Sequence, residues 1–121
     1  MKNTNLRPND EETIHETLLL IGIPSNLKGF RYITYAEQMM ADDPDLMFHV
    51  VDGLYRGIAI QFDTKPACVE RAIRHAIAVA WTYGNLEFIN ELFRYSVNPN
   101  KGTPTNSQFI SRLYFYLNAA Q

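Results

Sequence analysis

A chain of 121 residues with a single cysteine suits one domain, large enough to bury a core without staples and with no partner for an intrachain disulfide. No charged-then-apolar leader opens it and no apolar run approaches the ~20 residues of a membrane span, so a soluble, cytoplasmic protein is expected. The net charge of −2 speaks against a strongly basic nucleic-acid binder. It conceals an asymmetry, however: residues 1–64 carry five Lys/Arg against ten acids, a net −5, whereas residues 65–121 carry six against three, a net +3. A field divided in this way turns the carboxyl half toward a polyanion.

Residues 1–9 read as a flexible lead. Asn9 or Asp10 caps a first helix with Glu11 and Glu12 beside its positive end and Ile14, Leu18 and Ile21 on its apolar side; Gly22 and Pro24 stop it. Residues 25–29 connect, with Lys28 exposed, to a second helix over about 30–41 whose apolar side is Phe30, Ile33, Ala36 and Met40. Asp42 or Asp43 caps a third, with Pro44 in its first turn and Leu46, Met47, Val50, Val51, Leu54 and Tyr55 as its apolar positions. Gly53 and Gly57, each costing about 1 kcal/mol relative to Ala in a helix, predict a break or bend near one of them.

Residues 54–62 then read as a short helix burying Leu54, Ile58, Ala59 and Phe62. Asp63-Thr64-Lys65-Pro66 is a tight polar turn, with Thr64 as a cap and Pro66 in the first turn of the next helix. That helix, 66–81 and closed by Gly84, has two unlike faces. At about 100° per residue Val69, Ile73, Ala76, Ile77 and Ala80 share a narrow sector, while Ala67, Cys68, Arg71, Arg74, His75, Ala78 and Thr82 spread over the other side. A short scaffold helix with a small residue, a turn of about four residues and a second helix anchored at Val69 is the helix-turn-helix arrangement, here over about 54–83. Its polar side offers guanidinium forks to something planar or anionic, and nucleic acid is the leading candidate.

Asn85 caps a fifth helix from Leu86 to about Tyr95, with Leu86, Ile89, Leu92 and Phe93 facing inward; residues 97–104 hold two prolines, a glycine and two asparagines and are irregular. Thr105-Asn106-Ser107-Gln108 is a capping box for a last helix that buries Phe109, Ile110, Leu113 and Leu117 and carries Tyr114 and Tyr116 at its flanks. The expected class is all-α: one domain over 1–121 with about six helices containing a helix-turn-helix, of the winged-helix-like or response-regulator effector kind.

Enzymatic chemistry is not expected. Cys68 and His75 share a helix face, but seven residues of rise separate them by roughly 10 Å, too far for an imidazole to activate a thiol. His15, His49 and His75 lack ligand spacing and no Cys-x₂-Cys occurs, so neither metal nor cofactor is expected. Asp42, Asp43 and Asp45 are explained by capping, since neither the glycine nor the distal glutamate of a calcium loop accompanies them.

The string Val69-Glu70-Arg71-Ala72-Ile73-Arg74-His75-Ala76-Ile77, followed by Val79-Ala80-Trp81 and Gly84-Asn85, resembles a known family: the C-terminal DNA-binding domains of the sporulation initiation response regulators (stage 0 sporulation protein A) of endospore-forming Firmicutes. The likeness takes in Gly22-Ile23-Pro24, Leu27-Lys28-Gly29-Phe30, Asp43-Pro44, Leu54-Tyr55, Leu92-Phe93 with Tyr95, and Lys101-Gly102 before Pro104-Thr105-Asn106-Ser107, and so covers about 14–117. It implies a six-helix domain that binds short, often tandem promoter sites and touches the polymerase sigma subunit. It further implies base reading by Cys68, Glu70 and Arg71, and backbone contacts by Lys65, Arg74, His75, Lys101, Thr103, Thr105 and Asn106. The sigma contact would fall on Asn85, Glu87, Phe88 and Glu91.

Two positions depart from the family pattern. Cys68 stands where an arginine is typical, which removes a bidentate base contact worth ~1–3 kcal/mol, and Thr103 replaces a lysine. The chain opens on a short acidic helix where the family's regulators carry a receiver domain. The expectation is a transcriptional regulator free of phosphorylation control, monomeric in solution and pairing weakly on double-stranded DNA. The alternative is an interaction module of the same fold that engages sigma factor or a full-length regulator through the fifth helix without reading DNA.

Overall fold

Gly22 makes the first corner of the fold. It closes α1 (Glu11–Ile21) at φ 111°, a left-handed conformation that side chains resist, and its N–H and that of Ile23 both donate to the Leu18 carbonyl, at 3.1 and 3.0 Å. A Cβ here would lie 2.5 Å from the Cα of Gly84, so this corner meets the later corner backbone to backbone, and the Asn85 N–H crosses to the Ile21 carbonyl at 3.2 Å.

The structure, a computed structural model, describes residues 10–93 and 102–119. After α1 come α2 (Lys28–Asp42), a 3₁₀ segment (Pro44–Phe48), a π-helical turn (Val50–Tyr55), α3 (Arg56–Gln61), α4 (Pro66–Tyr83), α5 (Leu86–Phe93) and α6 (Asn106–Ala119). Among the described residues every regular element is helical, and the expected all-α class with six α-helices holds. The expectations for residues 1–9, for the end of α5 beyond Phe93 and for Lys101 fall outside the described residues.

Several local expectations need correction. Helix α2 begins at Lys28 rather than near residue 30, because Leu27 is already the extended residue before it. The third helix is two separate segments. Asp43 does cap, accepting from the Asp45 N–H at 3.3 Å, but the chain breaks at His49 (φ −134°, ψ 61°) and not at a glycine. The next turn is wide: the Leu54 N–H reaches back five residues to the His49 carbonyl at 3.0 Å. One result is that Val51 is left 68% exposed while Leu54 and Tyr55 are both buried. Helix α3 is correspondingly short.

The turn between α3 and α4 is built on Asp63, at φ 53°, a conformation that Asp tolerates better than most residues. The Thr64 N–H donates to the Ala59 carbonyl at 2.9 Å and that of Asp63 points at the Ile60 carbonyl at 3.5 Å, closing the end of α3. Lys65, not Thr64, therefore takes the N-cap position of α4, extended at φ −109° and ψ 148°, and Pro66 follows in the first turn.

Helix α4 runs through the middle. Its stripe Val69, Ile73, Ala76, Ile77 and Ala80 is at most 1% exposed, against a core that includes Ile33, Met40, Leu54, Ile58 and Phe109. Helix α2 crosses it at Gly29, where a Cβ would run into the Ala72 carbonyl oxygen and sit 2.7 Å from the Ala76 Cβ. Gly29→Ala is accordingly expected to force α2 and α4 apart and to cost ~1–3 kcal/mol, read as a lower urea midpoint with an unchanged m-value. At the far end Trp81, Phe93 and Phe109 cluster, with ring centroids 5.1 Å (Trp81–Phe93) and 5.6 Å (Phe93–Phe109) apart, and fix α5 and α6 to α4. The Arg112 Nε–H donates to the Leu92 carbonyl at 2.7 Å, a cation at the carboxyl end of α5. Leu86, expected inside, is 61% exposed in the first turn of α5, where no element among the described residues covers it.

Candidate nucleic-acid interface

Burial of the apolar stripe of α4 leaves its other side outward by helical geometry alone. Ala67, Arg71, Arg74, His75, Ala78 and Thr82 are exposed and Cys68 is half-buried. Lys65 is exposed at the amino end of the same helix. The basic residues thus form one strip along α4, with Cys68 at its start.

Two contacts order this strip. The Arg74 guanidinium donates twice to the Glu70 carboxylate, Nε to Oε2 at 2.9 Å and Nη2 to Oε1 at 3.1 Å, a fork four residues along the helix. The pairing holds the Glu70 carboxyl below its usual range and raises the Arg74 pKa. Arg71 Nη2 donates weakly to Cys68 Sγ at 3.7 Å. The Thr64 hydroxyl, and after it the Arg71 guanidinium, hold the Cys68 thiol below its ordinary pKa.

The amino end of α6 stands beside the second turn of α4. The capping box is formed in both directions: the Thr105 N–H donates to Gln108 Oε1 at 2.9 Å and the Gln108 N–H to Thr105 Oγ1 at 3.1 Å. Thr103 and Thr105 are exposed, while Asn106 is 8% exposed and turned inward. Its Nδ2 donates to the Tyr55 hydroxyl at 2.9 Å and to the Glu70 carbonyl at 3.0 Å. Between these elements lies an open groove of about 520 Å³, lined by Val51, Tyr55, Arg74, Ala78, Thr105 and Ser107 among others. The structure therefore brings Glu70, Arg74, Thr103, Thr105 and Asn106 around one groove, next to the strip that carries Lys65, Cys68, Arg71 and His75.

The α5 flank is a separate surface at the other end of α4. Asn85 caps α5, its Oδ1 accepting from the Phe88 N–H at 3.1 Å, and Glu87 and Glu91 are exposed. Phe88 is half-buried, with its ring edge-on to Tyr116 at 5.8 Å. Among the described residues no group of three or more His, Cys, Asp or Glu converges as a metal site requires.

Two residues carry more of the local structure than their place in the sequence suggests. Tyr55 reads as one apolar position among several, yet its hydroxyl is the partner of Asn106. Glu37, on α2, is fully buried, and among the described residues neither carboxyl oxygen has a hydrogen-bond partner. The signal for its burial is in the pattern, four residues after Ile33 and three before Met40 on the apolar side.

A short helix, a closed turn and a second helix that presents an exposed basic strip define a helix-turn-helix domain of the kind that docks on duplex DNA. The chain belongs to the family of the sporulation initiation factor Spo0A C-terminal domain, whose family model matches residues 14–117. That family comprises DNA-binding effector domains of a sporulation regulator, not enzymes. No helix among the described residues is long and apolar enough to cross a membrane.

Proposed function

We propose that this domain is a sequence-specific transcriptional regulator that lays the exposed side of α4 in the major groove, acting in the cytoplasm on short promoter sites. In this reading Arg71 forks onto a guanine O6 and N7, Glu70 accepts from a cytosine N4–H once it lets go of Arg74, and Cys68 touches the neighbouring base edge. Lys65, Arg74 and His75 meet phosphates on one side. Thr103, Thr105 and the first N–H groups of α6, where Asn106 begins the helix, meet them on the other, together with Lys101.

The observation that supports this most strongly is the exposure of Arg71, Arg74 and His75 along one side of a helix whose opposite side is fully buried. Selection of binding sites from random duplex DNA by the purified protein tests it. Enrichment of a short motif containing a G·C pair is expected; a pool that stays random at low and moderate salt counts against the reading.

The exposed α5 flank, Asn85, Glu87 and Glu91 with Leu86 and the edge of Phe88, is proposed as the contact for the polymerase sigma subunit. The 61% exposure of Leu86 supports a partner there. The protein is proposed to be a monomer in solution that pairs weakly on tandem sites.

A further inference from the structure

The two parts of the proposed interface face each other across a groove. The base-reading side of α4 and the amino end of α6 flank an open groove of about 520 Å³, and across it the capping residue Thr105 is exposed. Apolar packing seats the body of α6, with Phe109 and Ile110 buried in the core, but its first residue, Asn106, meets α4 through a hydrogen bond. The link that crosses beneath the groove is polar and buried. One amide nitrogen, Asn106 Nδ2, uses both its hydrogens, one on the Tyr55 hydroxyl at 2.9 Å and one on the Glu70 carbonyl at 3.0 Å.

Each end of this latch sits on a defined element. Asn106 is the first residue of α6 and Tyr55 the last of the π-helical turn, while the Glu70 carbonyl belongs to the turn of α4 whose side chains include Glu70 itself and Arg71. The wide turn matters here, because an extra residue rotates the chain after it by about 100° and so decides which side chain faces α6. Tyr55 is 7% exposed, so its hydroxyl exchanges little with water and depends on this partner.

We infer that Tyr55 and Asn106 are positioning residues for DNA binding. Together they hold the phosphate-facing end of α6 at a set distance from the base-reading turn of α4, so that both reach the duplex at once. The inference rests on the DNA-reading function proposed above and deepens it. Neither side chain needs to touch DNA; each acts through Glu70 and through the end of α6.

The test uses the full chain, with affinity measured by fluorescence anisotropy on a selected duplex and on a random duplex across a range of salt, well below the melting temperature of each variant. For Asn106→Ala the expected result is a loss of several-fold on both duplexes and a log–log salt slope shallower by about one unit, because the α6 phosphate contact is no longer delivered. Tyr55→Phe, which keeps the ring and its packing, is expected to move the slope the same way by less, and to add nothing in the Asn106→Ala background. Unchanged slopes in both variants, with any loss of affinity explained by the unfolded fraction, would overturn the latch and leave the DNA reading standing. Absence of binding by the unsubstituted chain would overturn the DNA reading itself.

Discussion

Arg71→Ala is expected to weaken binding to the preferred duplex by ~1–3 kcal/mol, about 5- to 150-fold, while binding to random duplex changes little. Arg71 is exposed on the outer side of α4, and its hydrogen bond within the domain is the 3.7 Å contact to Cys68 Sγ, too weak to hold the guanidinium back from a base. Arg74 differs, since its fork is already occupied by Glu70. Lys65→Ala supplies the contrast: as a phosphate contact at the start of α4 it should lower binding on both duplexes equally and shallow the salt slope by about one unit. Equal losses on both duplexes for Arg71→Ala would remove it from base reading.

The second large effect concerns stability. Glu37→Met is expected to raise the unfolding free energy near neutral pH by ~1–3 kcal/mol, because a buried carboxyl without a partner is replaced by an apolar chain of similar length. Burial pushes the Glu37 carboxyl well above the usual range in the folded state, whereas in the unfolded chain it titrates as an ordinary carboxylate. The folded protein thus keeps a proton that the unfolded chain releases. Stability from this group is intact below the unfolded pKa and falls as pH rises above it, by up to about 1.4 kcal/mol per pH unit, until the folded carboxyl ionises. Urea titrations of both proteins from acid to neutral pH check this. The gap between the curves should widen with pH, and parallel curves would show that Glu37 is not held protonated.

Much of α4 is legible because its signals are local and mutually consistent. A period of 3.6 separates Val69, Ile73 and Ala80 from Arg71 and His75, and Pro66 marks the start. Thr105 and Gln108 specify the cap of α6 within four residues, and both bonds form. Where sequence and structure part, the deciding interaction is distant. The spacing of Leu46, Val50, Leu54 and Tyr55 accommodates a turn closed at four residues or at five, and the hydrogen bond that Tyr55 makes in the observed turn is to Asn106, fifty-one positions on. Leu86 has the right period for burial, yet among the described residues the first turn of α5 leaves it 61% exposed. Glu37 shows as a polar letter in an apolar stripe; nothing in the string says that its carboxyl goes unpaired.

The candidate interface divides in the same way. The outward basic strip comes from the periodicity of α4, and the family resemblance adds the end of α6. That Glu70 and Arg74 can pair follows from their i, i+4 spacing on α4, whereas the inward turn of Asn106 beneath them requires the three-dimensional packing of α6 on α4.

The most direct test of the central claim, that the exposed side of α4 is where duplex DNA sits, is to follow backbone amide shifts of the labelled protein as a selected short duplex is added. The largest changes are expected on residues 65–78 and 102–107, with α5 unmoved. Changes confined to residues 85–91, or none with DNA while added polymerase sigma subunit shifts that same α5 flank, would contradict it.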